Sequence, residues 1–146
     1  MVLYLDTSAL VKCYVKESGS VETGAAVEEA LLVGTVVLSR VEISAAFAKA
    51  VRMGSLMKRE ARAALEKFRE EWKDLVRIQV TDVLVNRADA YAWEHGLRGY
   101  DALQLTAAVI WQETLGEMIT FATYDAHLMR AAAKEGLTPF PSKSVG

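Results

Sequence analysis

Four acidic residues stand where they could do chemistry. Asp6 follows the apolar start of 3-LYLDTSAL-10, Glu42 closes 39-SRVE-42, Asp101 closes 95-HGLRGYD-101 and Asp125 closes 120-TFATYD-125. Each lies at or near the start of an expected helix. There a carboxylate caps free backbone amides, a contribution of about 1 kcal/mol. Thr7 or Ser8 could cap in place of Asp6. Ser39 and Glu42 have the S-x-x-E spacing of a capping box. Asp125 and Asp101 could each cap the helix that follows.

Taken together, the four suggest a second role. Asp101 opens a segment with almost no polar face, 101-DALQLTAAVIW-111. A carboxylate buried there is costly unless it is paired or bound to a metal, and Arg98 is the partner nearest in sequence. Several carboxylates brought together repel one another, and a divalent cation removes that repulsion. An all-oxygen ligand set favours Mg²⁺ or Mn²⁺ over Zn²⁺. Such an ion polarises a phosphate oxygen, lowers the pKa of a bound water and steadies a leaving oxygen. Competing chemistry is absent from the sequence. His95 and His127 are isolated and read as solvated or capping residues. Cys13 reads as a small core residue. There is no G-x-x-x-x-G-K-[ST] and no G-x-G-x-x-G.

The elements that must position these acids follow from periodicity. Strands are expected at 2–5, 35–38, 76–80 and 118–123, with a short edge strand at 137–140. Helices are expected at 7–16, 20–32, from about 39 to Gly54, 58–75, 82–95, from Asp101 onward and 126–135. Ile43, Ala46, Phe47, Ala50 and Val51 make one apolar stripe. Strands alternating with helices predict an α/β fold in three α/β/α layers. Its central sheet is mostly parallel, with four to five strands and helices on both faces. In such sheets functional groups gather beyond the carboxyl ends of the strands, where Asp6, Glu42 and Asp125 are expected.

The chain has 146 residues, 52% of them hydrophobic, which suits one domain over 1–146. Asp6 and Lys12 interrupt the N-terminal apolar segment, and no run reaches membrane-spanning length. A soluble cytoplasmic protein is expected. The net charge of −2 does not by itself suggest nucleic-acid binding, but the charge is uneven. Residues 40–77 carry ten basic and six acidic side chains. This reads as a solvated helix face or as a phosphate-attracting surface. Arg40, Lys49 and Arg52 are the candidates for guiding a phosphate-bearing substrate, the latter two on roughly the helix face of Glu42. The apolar helix faces near 25–32 and 43–68 serve either core packing or self-association.

Four stretches, 4-YLDTSALVK-12, 39-SRVEISAAF-47, 96-GLRGYDALQLTAA-108 and 120-TFATYDAHL-128, give the chain a resemblance to PIN-domain ribonucleases. The likeness is strongest to the VapC-type toxins of toxin–antitoxin pairs, and it spans most of the chain in family order. It implies that Asp6, Glu42, Asp101 and Asp125 form an Mg²⁺- or Mn²⁺-dependent centre. Thr7, Ser8 and Thr123 match positions where the family keeps supporting hydroxyls. Tyr124 stands where many relatives have a small or amide residue. The resemblance further implies endonuclease activity on single-stranded or structured RNA, blocking translation, with a homodimer and a cognate antitoxin as partners. A maturation nuclease without an antitoxin is an alternative. So, from another class, is a non-cleaving metal-binding or signalling module. A receiver-like phosphoryl acceptor would need adjacent acids after the first strand and a lysine after a late one, and neither is present.

Overall fold

Along Val2–Leu5 (β1) the side chains alternate between the two faces of a sheet. Val2 and Tyr4 join one apolar cluster, Leu3 and Leu5 another. Both clusters are buried, so this four-residue strand is covered on both faces. In the computed structural model, which describes residues 1–142, β1 is the centre of a five-stranded parallel sheet. The other strands are Leu32–Val36 (β2), Val76–Ile78 (β3), Ile119–Ala122 (β4) and Thr138–Phe140 (β5), in spatial order β3-β2-β1-β4-β5.

Helices cover both faces. Thr7–Lys12 (α1), Ser20–Glu29 (α2), Ser39–Arg52 (α3) and Lys58–Glu71 (α4) contribute to the cluster around Leu3, Leu5, Ile43, Phe47 and Phe68. Asp82–His95 (α5), Gly99–Leu115 (α6) and Ala126–Lys134 (α7) close the cluster around Tyr4, Leu84, Leu105, Phe121 and Leu128. The three-layer α/β/α expectation is met. Among the described residues no helix is long and apolar enough to cross a membrane.

The expected boundaries differ at several places. The second strand runs over Leu32–Val36, not 35–38. Gly34 reads as a breaker but lies inside β2, because the Trp111 ring packs against it. A Cβ built on Gly34 would meet that ring at 2.8 Å. The first helix stops at Lys12 rather than 16, and the second at Glu29 rather than 32. The helix expected over 58–75 ends at Glu71 and tightens into a 3₁₀ turn, Trp72–Asp74. The strand expected over 76–80 is only Val76–Ile78. The apolar stripe of α3 and α4 is core: Ile43, Phe47, Ala61, Ala64 and Phe68 are buried against the sheet. Met53 and Met57, at the turn between these helices, stay exposed.

Candidate metal centre

Parallel pairing brings the strand ends to one edge. Leu5 of β1 stands opposite Ala122 of β4, and the Asp6 amide donates to the Ala122 carbonyl at 3.1 Å. Tyr4 stands opposite Gly34 of β2. The loops after β1, β2 and β4 therefore leave side by side. They lead into α1, α3 and α7, the helices that carry or follow Asp6, Glu42 and Asp125.

Asp6 is 4% exposed. It does cap α1: its Oδ1 accepts from the Ala9 amide at 2.9 Å and from the Ser8 hydroxyl at 2.7 Å. Capping thus falls to Asp6 itself, not to Thr7 or Ser8. Ser8 Oγ also accepts from the Tyr124 amide at 2.9 Å and so ties the β1 and β4 loops together. Burial pushes the Asp6 carboxyl up to about 6, against the hydroxyls of Thr123 and Ser8 and the Ala9 amide; the nearby charge of Asp101 pushes it further the same way.

Glu42 makes no capping box. Ser39 is turned into the core, where its hydroxyl is 2.6 Å from Thr35 Oγ1, and α3 starts without a side-chain cap. Glu42 instead accepts from Gln104 Nε2 at 2.9 Å. The same Nε2 lies 3.1 Å from both Thr7 Oγ1 and Ser39 Oγ. Gln104 Oε1 accepts from the Tyr4 hydroxyl at 2.5 Å, and the Tyr4 oxygen accepts from the Val36 amide. Burial raises the Glu42 carboxyl; the Gln104 amide and the Thr7 hydroxyl oppose this, and Asp101 adds to it.

Asp101 lies in the first turn of α6, which begins at Gly99, two residues earlier than expected. Its exposed neighbour Arg98 is 3.4 Å away, a loose surface pair. Burial raises the Asp101 carboxyl, Arg98 lowers it, and the Asp125 charge raises it again. Asp125 caps α7 through the Leu128 amide at 2.8 Å, while its own amide donates to Thr123 Oγ1 at 3.1 Å. Tyr124 holds this turn from outside. Its hydroxyl is 2.8 Å from Thr23 Oγ1, and its ring fills the space against Gly19, where φ is 90° and a Cβ would clash at 2.7 Å.

The four acids therefore gather at one end of the sheet, with Asp101 the one that each of the others meets through charge. They are not drawn tight. Among the described residues, no three of them bring one oxygen each within 4.8 Å of one another. Each leans on its own partner: amide caps, Gln104 or Arg98. Mg²⁺ takes one or two carboxylates directly and keeps several waters, so it does not need all four acids drawn tight. An all-oxygen donor set also fits Mg²⁺ or Mn²⁺ better than Zn²⁺. Glu42 and Asp101 face a groove of about 870 Å³, walled by Val85, Tyr100 and Leu103.

The cationic candidates divide. Arg40 lies over the Trp72 ring at 5.6 Å, with Arg77 also against it at 5.9 Å. Lys49 and Arg52 are exposed in the last turn of α3. Sequence reasoning missed Gln104, whose signal is a polar side chain inside an apolar helix, three residues after Asp101 and so on its face. It also missed the partner of His95. His95 Nε2 is 2.7 Å from Glu135 Oε2, and His127 bonds the His95 carbonyl at 2.7 Å.

The PIN domain family matches residues 3–135. Ribonuclease VapC3 of Pyrobaculum aerophilum is 34% identical over 108 residues, which cover 74% of this chain and 82% of that protein. The crystal structure of FitAcB from Neisseria gonorrhoeae superposes with a TM-score of 0.62. The match takes in 97% of this chain and 98% of that one at 17% identity, a likeness of fold.

Proposed function

The chain belongs to the PIN-domain family, and on that premise we propose that it is a VapC-type endoribonuclease using Mg²⁺ or Mn²⁺. The observation that carries the reading is the convergence of Asp6, Glu42, Asp101 and Asp125 from four separate segments on one sheet edge. A bound hard ion there supplies an activated water and a counter-charge for the phosphate.

The residues themselves do the rest. Asp6, buried and fixed by Ser8, Ala9 and Thr123, gives a carboxylate of set direction. Gln104 holds Glu42 toward the groove, and Thr7 supports it. Asp101, only loosely paired with Arg98, and Asp125 would complete the set of residues that hold the ion. A single strand lying in the groove would pass Glu42 and Asp101. Lys49 and Arg52 attract its phosphates, and Arg40 stays near Trp72. A cognate antitoxin covering the groove, a homodimer, a cytoplasmic site of action and arrest of translation through RNA cutting belong to the same reading.

The test is cleavage of RNA in Mg²⁺. Asp6→Asn and Asp101→Asn should each abolish cutting while circular dichroism stays native. A variant that cuts at the wild-type rate would overturn the assignment. Lys49→Ala with Arg52→Ala should weaken substrate binding and flatten its salt dependence. An unchanged rate and an unchanged salt slope would remove the guiding role.

A further inference from the structure

We propose that Glu94, His95 and Glu135 form a second cation site, one that takes Zn²⁺ or a similar borderline transition-metal ion. It lies outside the four acids and does not depend on the nuclease reading. Among the described residues these three are the group whose ligand atoms all fall within 4.8 Å of one another, a tighter set than the acids achieve.

The donors come from two helices. Glu94 and His95 are the last residues of α5, and Glu135 closes α7. The His95 side chain is 7% exposed and that of Glu135 21% exposed. The Tyr91 ring packs beside the imidazole, with ring centroids 5.8 Å apart. His95 Nε2 already lies 2.7 Å from a Glu135 oxygen, so the two need part only slightly to share an ion.

Charge argues the same way. Among the described residues neither Glu94 nor Glu135 has a lysine or arginine within salt-bridge distance. Two carboxylates thus face one imidazole, at the negative end of α5. A divalent ion would neutralise that excess. The donor set differs in kind from the acid centre. One imidazole with two carboxylates suits Zn²⁺, whereas Mg²⁺ prefers oxygen alone. Glu94 is exposed, so the fourth tetrahedral position would be open to water. An ion here would brace α7, the helix that Asp125 caps, against α5.

The experiment is calorimetric titration of the chelator-treated full chain with ZnCl₂ in excess Mg²⁺, with circular dichroism as a fold check. The wild type should take up one equivalent, and Asp6→Asn should do the same. His95→Gln should bind at least about tenfold more weakly, since ligands are costlier to lose than their supporting partners. If His95→Gln fails to fold, Glu94→Gln carries the test, because it changes an exposed side chain. No uptake by the wild type overturns the site and leaves a plain His95–Glu135 pair. Full-strength uptake by Glu94→Gln, or loss of uptake in Asp6→Asn, also overturns it, the latter by moving the ion to the acid centre.

Discussion

At the residue scale, Asp6 is both a cap and the proposed ligand, and its burial makes it sensitive to pH. Its carboxyl is pushed from 3.8 to about 6 in the fold. Between those values the native protein holds a proton that the unfolded chain has released, so stability falls as pH rises through that window. The charged form costs about 3 kcal/mol at most at neutral pH without metal. Asn can still cap Ala9. Urea unfolding without metal should therefore find Asp6→Asn no less stable than wild type at pH 7, with a smaller loss of stability between pH 4 and 6, the remainder coming from the raised Glu42 and Asp101 carboxyls. Gln104 gives a second prediction. Gln104→Leu leaves the Tyr4 hydroxyl proton and Glu42 without their partner, for about 1–3 kcal/mol of stability. It should also lower kcat, because Glu42 loses its direction. Glu42→Gln should keep stability and lose activity. The acids were legible because each follows a strand or opens a helix. Gln104 was harder to see, since one polar residue in an apolar helix carries no role until Tyr4, Ser39 and Glu42 are placed around it.

At the element scale, β2 sets where α3 begins and so where Glu42 stands. Gly34 lies within β2 because the Trp111 ring occupies the place of a side chain. Gly34→Ala should cost about 1–3 kcal/mol through overpacking. Urea midpoints would measure it, and activity should fall with it as the β1–β2 register yields. Local pattern showed this strand only in part. Val36, Thr35 and Gly34 are buried, but glycine reads as a break unless the tryptophan 77 residues later is known to cover it. The S-x-x-E spacing at Ser39 misled for a related reason. A buried hydrogen bond to Thr35 outweighs a cap on the surface, and only the folded sheet sets the Thr35 hydroxyl against the Leu5 carbonyl and so buries the pair. The helix over 82–95 matched its expected span, since Thr81 caps it and Gly96 ends it in the left-handed region.

At the scale of the whole molecule, a parallel sheet with crossover helices sends every β-to-α loop to the same edge. That is why residues as far apart as Asp6 and Asp125 become neighbours. This much followed from the order of strands and helices, whereas the spacing of the carboxylates depends on Arg98, Gln104 and the caps. A ligand that binds only the native state stabilises it. Mg²⁺ or Mn²⁺ should thus raise the Tm of the wild type, and Asp6→Asn or Asp101→Asn should lose most of that rise. The most direct measurement is the anomalous signal of a crystal soaked in Mn²⁺. A peak among the carboxylates of Asp6, Glu42, Asp101 and Asp125 is the predicted result. A well-ordered crystal with no peak there, or with manganese only beside His95, would contradict it.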